Sequence, residues 1–279
     1  MDEVTVCSPD LKEERRLRRE GHEWVAGLDE VGRGAWAGPL TVGVAVVRPR
    51  VQLRTMPAWL RDSKMLSEAR REEIFDAVAR WCAAWSVGHA TAAECDAWGM
   101  TEALRVAGCR AIAGLGQQPD ALLIDGPIDV LRHPEEPFAG FVRPIVDADA
   151  KCASVAAASV LAKVVRDRMM REESPHFPAY GFDRNKGYPS PVHQAALRGY
   201  GPSAIHRRSW AFVRDLPWCG QPWLGRRRPD DGDSDDFGDL GEVAGDGMSL
   251  TAIDEGGLLG GADLLCLPAA GTEAAAGRG

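Results

Sequence analysis

Short apolar runs, separated by glycine, proline and charged residues, recur along about the first half of the chain. Five of them are rich in β-branched and aliphatic side chains and are bounded by turn residues, which is the pattern of buried strands. They predict strands at 24–28, 40–47, 84–90, 121–125 and 141–146. A glycine-rich turn joins the first two, so these two strands are expected to be neighbours in the sheet.

Helical periodicity appears between these runs and dominates the segment that follows them. It predicts helices at 67–80 and 101–113, the first with Ser67 as its N-cap. From Lys151 the sequence KCASVAAASVLAKVVRDRMMREE repeats apolar residues at intervals of three and four, a stripe that should pack on the sheet. Strands interleaved with helices indicate an α/β domain with a mixed sheet.

Four charged residues of this long helix fall off the apolar stripe and are expected to face solvent. They are Lys163, Arg166, Asp167 and Arg171. Asp167 lies four residues after Lys163, a spacing that predicts an ion pair along the helix rather than a metal site.

Composition divides the chain into parts. The formal net charge is −8, yet residues 1–220 hold 29 acidic and 29 basic residues, whereas 221–279 hold 12 acidic and 4 basic. An acidic segment rich in glycine and alanine buries too little apolar surface to offset the entropy of ordering. We therefore predict a charged lead at 1–21, a folded domain at 22–220 with a helical segment at about 185–215, and a disordered tail at 221–279. The tail is either a solvated linker or an arm for an unknown partner.

The sequence also bears on compartment and cofactors. No run approaches the roughly 18 uninterrupted apolar residues of a membrane span, and the first 20 residues are charged where a signal peptide would be apolar. A cytoplasmic protein without a membrane partner is expected. The seven cysteines are odd in number, widely spaced and never in a C-x-x-C pair, so the sequence indicates neither a disulfide framework nor a zinc site.

Four acidic residues lie at the ends of predicted elements. Asp29 and Glu30 follow the first strand, Asp125 ends the fourth, and Asp149 follows the fifth. Asp29 and Glu30 would point to opposite sides of the sheet unless the strand ends or bulges there. Clustered carboxylates repel one another, and oxygen-only ligands favour Mg²⁺ or Mn²⁺. Two such ions could activate water and stabilise the leaving oxygen of a phosphodiester. Each acid by itself could equally be a cap, a turn residue or a surface charge.

The run from Gly32 to Ala37 fits G-x-G-x-x-G/A, the dinucleotide fingerprint. That fingerprint must open a helix. Here Gly38-Pro39 and a β-branched run follow, so a strand comes next and a dinucleotide cofactor is excluded.

The block GLDEVGRGAWAGPLTVGVAVV, at 27–47, resembles the first block of ribonuclease HII (type 2 ribonuclease H), whose hallmark is Asp-Glu-x-Gly-Arg-Gly followed by Ala-Gly-Pro. Further blocks follow in that family's order: DSKMLS (62–67), LIDGP (123–127), DADAKCASVAAASVLAKVVRDR (147–168) and NKGYPSPVHQAALRGYGPSAIHRRSW (185–210). The resemblance covers about residues 22–215. It implies a ribonuclease H-like fold with a mixed five-stranded sheet flanked by helices.

The resemblance also implies roles for individual residues. The family's metal-binding acids fall on Asp29, Glu30, Asp125 and Asp149, its Gly-Arg-Gly motif on Gly32, Arg33 and Gly34, its junction-sensing tyrosine on Tyr188, and further substrate contacts on Lys64 and Ser190. The implied activity is cleavage of RNA/DNA hybrids and of duplex DNA 5′ of embedded ribonucleotides, with Mg²⁺ or Mn²⁺, leaving 3′-hydroxyl and 5′-phosphate ends. This suggests work in ribonucleotide removal and primer clearance. We further expect a monomer.

Three differences between this chain and the family pattern leave alternatives open. Two positions before its fourth acid the family usually has a basic residue, but this chain has Asp147, so the choice of Asp149 rests on its alignment with Ala150-Lys151. Ser190 stands where threonine is commoner, and the acidic tail has no counterpart. Lys64 could instead be a solvated lysine at a helix start.

The closing segment and the overall function also leave alternatives. His193 and His206 form either a substrate-facing or a structural polar cluster. A DNA-directed nuclease and a silent hybrid-binding protein are competing functions. The retained Gly-Arg-Gly motif and Tyr188 argue against the first, and the intact acid set argues against the second.

Overall fold

The computed structural model describes residues 8–48, 55–57, 59–60, 63–133 and 138–216. Residues 1–7 of the predicted lead, Asp62 of the DSKMLS block and the predicted tail at 221–279 lie outside the described residues. The fold is built on a five-stranded sheet with helices on both faces.

The sheet has the strand order β3-β2-β1-β4-β5. Its strands are β1 (Val25–Val31), β2 (Leu40–Val47), β3 (Cys82–Ala90), β4 (Ala121–Asp125) and β5 (Phe141–Ile145). The pairs β1–β2 and β2–β3 are antiparallel, and the pairs β1–β4 and β4–β5 are parallel. The predicted mixed five-stranded sheet is confirmed.

Eight helices accompany the sheet in the described part of the chain. They are α1 (Lys12–Arg19), α2 (Glu68–Trp81), α3 (Ala92–Ala113), α4 (Ala148–Lys151), α5 (Ala153–Glu173), α6 (Phe182–Asn185), α7 (Pro191–Tyr200) and α8 (Ala211–Arg214). As predicted, Ser67 caps α2, and its hydroxyl accepts the N–H of Arg70 at 3.3 Å. No helix among the residues described is long and apolar enough to cross a bilayer.

Helix α5 lies very close to β1 and β2 because each strand has a glycine at the point where the helix packs against it. A Cβ on Gly27 would collide with the backbone of Val155, and one on Gly43 would lie 2.5 Å from the carbonyl oxygen of Ala158. The alanine-rich face of α5 therefore rests almost directly on strand backbone. This packing places the N-terminal turn of α5 beside the strands that carry the candidate acids.

The prediction that α5 has a solvent face is wrong for two of its charged residues. Arg166 and Asp167 are buried, and Lys163 is half-buried. The reason is that α2 and the C-terminal segment cover the sides of α5 that the sheet leaves open. The predicted pair of Lys163 with Asp167 is confirmed at 2.6 Å, but it is enclosed, and Arg71 of α2 reaches the same carboxylate at 3.4 Å.

Helix α3 covers the opposite face of the sheet and begins well before the predicted residue 101. A capping box sets its start: the N–H of Glu94 donates to the Thr91 hydroxyl at 3.2 Å, and the N–H of Thr91 donates to the Glu94 carboxylate at 2.8 Å. The helix is interrupted at Gly99, whose φ is 78°. The sequence prediction captured only the part after this kink.

The described part of the lead packs on the same core. Leu11 is buried in an apolar cluster with residues of α2 and α5, and Leu17 of α1 is buried in another with Val25 and Val155. Helix α1 is therefore held by apolar contacts to both β1 and α5.

Candidate active site

A cavity of about 200 Å³ opens at the carboxyl end of β1. It is lined by Asp29, Glu30, Val31, Gly32, Arg33, Gly34, Ser63, Lys64, Asp125, Lys163 and Tyr188. Strand β1 continues to Val31, past the predicted end at residue 28, so Asp29 and Glu30 belong to the strand. Both nevertheless border one cavity, together with Asp125 from the neighbouring strand β4.

Asp29 is the most enclosed acid of this cavity, with 3% of its surface exposed. Its Oδ1 accepts the N–H of Glu30 at 2.8 Å, and Ser159 of α5 donates a hydrogen bond to its carboxylate. Burial above all, together with the charges of Glu30 and Asp125, raises the pKa of Asp29 to about 8 against the opposing effects of the Ser159 hydrogen bond and the Lys64 charge. Burial also raises the pKa of Glu30. The site thus disfavours the full set of negative charges in the absence of a cation.

Asp125 and Asp149 meet where β4 faces the start of α4. Asp125 Oδ1 accepts the N–H of Ala148 at 2.7 Å. Burial raises the pKa of Asp125, and the nearby charge of Asp149 adds to this rise. Asp149 is 4% exposed, whereas the competing Asp147 is exposed and has a left-handed backbone with φ 55°. The geometry favours Asp149 as the fourth acid.

Two largely exposed cationic side chains contact candidate acids, one at Glu30 and the other at Asp149. Arg33 Nη1 lies 3.5 Å from Glu30 Oε1, and Lys64 Nζ lies 3.1 Å from Asp149 Oδ2. The side chains of Arg33 and Lys64 are 65% and 69% exposed. They can therefore partly balance the acids and still turn toward an approaching phosphate.

The donor set fits a hard divalent cation. All four candidate ligands are carboxylates, and three of them carry pKa values raised by burial, which a nearby cation would lower again. Within the described residues, however, no three His, Cys, Asp or Glu side chains are already grouped tightly enough to hold an ion.

Tyr188 lies on the same cavity although it comes from the C-terminal segment. Its hydroxyl accepts the N–H of Gly32 at 3.0 Å. Lys163 Nζ and the guanidinium carbon of Arg166 each lie 5.3 Å from its ring centroid, within the range of cation–π attraction. The phenol is therefore held in place beside the Gly-Arg-Gly motif and the acids.

Glycine at the two positions of that motif has a different structural consequence in each case. Gly32 has φ 89°, and a Cβ there would collide with Arg166 Nε and lie 2.9 Å from the carbonyl oxygen of Pro39. Around Gly34, by contrast, nothing lies within 4 Å of an added Cβ. Gly32 is required by the fold, whereas the space beside Gly34 is open to a bound molecule.

Comparison with known proteins shows which family the chain belongs to. Residues 26–213 match the family model described as Ribonuclease HII. The chain belongs to the ribonuclease HII family. It is accordingly a ribonuclease H, a phosphodiester hydrolase.

Relatives of this chain are found in several bacteria. The chain is 47% identical over 205 residues to the Ribonuclease HII of Streptomyces avermitilis, a match that covers 73% of this chain and 84% of that protein. It is 41% identical over 208 residues to the Ribonuclease HII of Paracoccus denitrificans, covering 75% and 94% of the two chains.

Solved structures give the same result for the fold. Ribonuclease H2 from Pyrococcus horikoshii is 30% identical with a TM-score of 0.60, covering 69% of this chain and 96% of the other. The RNase HII chain in a PCNA complex from Archaeoglobus fulgidus is 28% identical with a TM-score of 0.58, covering 71% and 98%. The Bst-RNase HIII solved in complex with Mn²⁺ is 18% identical with a TM-score of 0.57, a likeness of fold alone.

Arg166 supports this site, a role that the sequence prediction missed. It is fully buried and donates to three backbone carbonyls, those of Pro39 (2.8 Å), Lys186 (2.9 Å) and Ala37 (3.1 Å). It therefore ties the loop after β1 to the segment that carries Tyr188. An arginine within an alanine- and valine-rich helix was the available signal, because such a side chain must find acceptors when the helix is enclosed.

Arg207 supports the same loop from the other side. It is buried and donates to the carbonyl of Gly38 at 3.1 Å and to that of Arg33 at 3.2 Å. Burial lowers the pKa of Arg207 to about 10. The loop between β1 and β2 is thus held through its carbonyls by two buried guanidinium groups.

Ser190 and the two histidines lie behind the cavity. The Ser190 hydroxyl caps α7, accepting the N–H of His193 at 3.1 Å, and also accepts Asn185 Nδ2 at 3.2 Å. Ser190 is not among the residues that line the cavity in the described structure. His193 and His206 are buried with their Nε2 atoms 2.9 Å apart. Of the two alternatives, a structural cluster is the one observed.

Proposed function

We propose that this ribonuclease H cleaves the RNA strand of RNA/DNA hybrids and cuts duplex DNA 5′ of embedded ribonucleotides. Water attacks the scissile phosphorus and the P–O3′ bond breaks, which leaves a 3′-hydroxyl on the upstream nucleotide and a 5′-phosphate on the ribonucleotide. The observation that carries the proposal is the hydrogen bond from Gly32 N–H to Tyr188 at the edge of the acid-lined cavity. It joins the sugar-recognition element of this proposal to its hydrolytic centre.

Asp29, Glu30, Asp125 and Asp149 would hold two divalent cations, Mg²⁺ or Mn²⁺. When bound, such ions activate water for attack and stabilise the leaving oxygen of a phosphodiester. The carboxylate-only donor set and the raised pKa of Asp29 support this assignment. Asp147, exposed at the turn before α4, stays outside the ligand set in this proposal.

Recognition of the ribose is assigned to Tyr188 and the Gly-Arg-Gly motif. Because the Tyr188 oxygen accepts the Gly32 N–H, the phenol proton remains available to a 2′-hydroxyl, the group that distinguishes RNA from DNA. The open space at Gly34 admits a sugar-phosphate close to the backbone. Arg33 and Lys64, both largely exposed, contact phosphates, and Ser190 supports Tyr188 indirectly by capping α7.

The experiment is a cleavage assay on duplex DNA that contains one ribonucleotide, with an all-DNA duplex of the same sequence as the matched control. Each is incubated with Mg²⁺, with Mn²⁺ or with EDTA, and the cut is mapped on a denaturing gel. We expect a single metal-dependent cut 5′ of the ribonucleotide with a ligatable 5′-phosphate. Comparable cutting of the all-DNA duplex would favour a DNA-directed nuclease instead.

The acids are tested in the same assay. Asp29→Asn and Asp125→Asn should nearly abolish cleavage while hybrid binding, measured by filter retention, persists, because each change removes a metal ligand and no phosphate contact. Cleavage within a few fold of wild type in both variants would contradict the assignment. Binding without cleavage by the wild-type protein in every metal would instead favour a silent hybrid-binding protein.

A further inference from the structure

Helix α5 begins without a capping side chain of its own. Cys152 occupies its N-cap position and makes no side-chain cap hydrogen bond. The acceptor comes from α1: Glu14 Oε1 accepts both the N–H and the hydroxyl of Ser154, each at 2.8 Å. Because the first N–H groups of a helix have no intrahelical acceptor, Glu14 serves as the missing cap of α5.

The backbone before α1 holds the same corner. The N–H of Asp10 donates to the carbonyl of Lys151 at 2.9 Å, and the N–H of Ala153 donates to the carbonyl of Asp10 at 2.9 Å. Together with the Glu14 cap, these bonds tie the lead to the chain on both sides of Cys152. The corner between α4 and α5 is thus fixed from outside by residues far earlier in the sequence.

That corner is linked to two candidate metal ligands. The N–H of Cys152 donates to the carbonyl of Ala148 at 2.7 Å, and the N–H of Ala148 donates to Asp125 Oδ1 at 2.7 Å. Asp149 is the next residue after Ala148 and lies within α4. A shift at the start of α5 would therefore pass through one hydrogen bond to Ala148, and from there to Asp149 and Asp125.

Packing alone does not account for a carboxyl at position 14. Glu14 is fully buried, and its Oε2 has no hydrogen-bond partner among the described residues. A buried polar atom without a partner costs stability, which an apolar side chain at this position would avoid. The other oxygen, Oε1, accepts both hydrogen bonds from Ser154. These hydrogen bonds to α5 are what a carboxyl provides at position 14 and an apolar side chain would not.

We propose that Glu14 is a positioning residue for Asp149, and that the lead at 10–19 is part of the support of the active site. The inference rests on the proposed role of Asp149 as a metal ligand. It concerns a segment that precedes residue 26, where the match to the family model begins. Glu14 contacts neither substrate nor metal; it acts through the start of α5 and the Ala148 turn.

The test measures Mn²⁺ binding to the free protein by electron paramagnetic resonance titration, together with the Mn²⁺ dependence of cleavage. Glu14→Ala should weaken Mn²⁺ binding about tenfold, as loss of supporting contacts around metal ligands does, and cleavage should recover toward wild type as Mn²⁺ saturates. Glu14→Gln keeps an acceptor oxygen for Ser154 and should bind Mn²⁺ as the wild type does. Wild-type Mn²⁺ binding by Glu14→Gln would show that the hydrogen-bond acceptor at position 14, and not a negative charge, supports the site.

Glu13→Ala is the matched control. Glu13 lies on the same helix and near Cys152, but its ion pairs are with Arg143 at 3.0 Å and Arg16 at 4.0 Å, whereas the cap on Ser154 is made by Glu14. It should leave Mn²⁺ affinity unchanged even if thermal unfolding shifts. Equal losses of affinity in Glu13→Ala and Glu14→Ala, or unchanged affinity in folded Glu14→Ala, would overturn the proposal. Should Glu14→Ala fail to fold, Glu14→Asp, one methylene too short to reach Ser154, is measured in its place with the same expectation.

Asp149→Asn distinguishes this inference from the proposed function. If Asp149→Asn binds Mn²⁺ and cleaves as wild type does, the ligand assignment fails and the inference fails with it. If Asp149→Asn is defective while folded Glu14→Ala is normal, only the positioning role of Glu14 is overturned.

Discussion

The phenol oxygen of Tyr188 accepts the backbone N–H of Gly32 at 3.0 Å, across 156 positions of sequence. The contact joins the C-terminal segment to the end of β1, where the acids lie. With Lys163 and Arg166 against its ring, Tyr188 is already oriented in the free protein. A side chain held in this way loses little conformational entropy when a substrate binds.

Replacing the ring tests this preorganisation. If the Tyr188 ring stacks on the sugar next to the scissile phosphate, Tyr188→Ala removes a contact worth about 1–3 kcal/mol, a loss of about 5- to 150-fold in kcat/KM. The loss should be greatest on a single embedded ribonucleotide, where only one junction is available, and smaller on a continuous hybrid. Tyr188→Phe, which keeps the ring, should lie between. An equal, negligible effect on both substrates would reduce Tyr188 to a packing residue.

The glycine motif gives a matched pair of variants. Gly32→Ala must place a Cβ at φ 89° against Arg166, so it should lower the free energy of unfolding by about 1–3 kcal/mol. Gly34→Ala meets no atom within 4 Å and should leave stability unchanged while raising KM for the hybrid. Urea denaturation and steady-state kinetics measure the two effects. A stability loss in Gly34→Ala as large as that in Gly32→Ala would refute the distinction.

The two acids before α5 are also separable. Asp149→Asn should damage cleavage far more than Asp147→Asn, because Asp149 is enclosed beside Asp125 while Asp147 is exposed at the turn. Single-turnover rates at several Mg²⁺ concentrations provide the comparison. The reverse order of defects would move the ligand to Asp147.

The buried histidine pair predicts a pH dependence of stability. His206 Nδ1 accepts the N–H of Ser203 at 2.9 Å, so neutral His206 carries its proton on Nε2 and donates it to His193 Nε2. His193 must then donate from Nδ1 to the carbonyl of Tyr188, 2.9 Å away. A further proton on either ring would disrupt this chain of hydrogen bonds.

The direction of the effect follows from the pKa values. Burial, followed by the His193 charge, lowers the pKa of His206 to about 3, and burial lowers that of His193. An unfolded histidine titrates at about pH 6.5, so stability is fully present above that pH. For His206 it falls by up to about 1.4 kcal/mol per pH unit as the pH decreases toward about 3, and protonation of His193 acts in the same direction.

Comparison with His206→Asn isolates this contribution, because buried acids such as Asp29 shift in the opposite sense. The variant should be less stable at neutral pH, but the difference from wild type should shrink as the pH falls. The measurement is the free energy of unfolding of both proteins, obtained by denaturant unfolding in EDTA at a series of pH values. A constant difference across the series would show that the pair is not held neutral.

The sequence by itself determined the sheet and the candidate acids. Strands 40–47 and 121–125 were predicted with the bounds they have, because their β-branched and aliphatic runs are bounded by local turn residues. Asp29, Glu30 and Asp125 were found because they lie at or near strand ends, a feature that can be counted along the chain. The start of α3 was also within reach, since Thr91 and Glu94 have the spacing of a capping box.

Only the tertiary structure decided which charged residues are buried. Periodicity reports one apolar face of a helix, so Arg166 and Asp167 were predicted to face solvent. They are enclosed because α2 and the C-terminal segment close over α5, and such closure depends on contacts between residues far apart in the chain. The same holds for Glu14 and Ser154, and for Gly32 and Tyr188. No local pattern encodes these pairs, because their partners are selected by how the helices pack on the finished sheet.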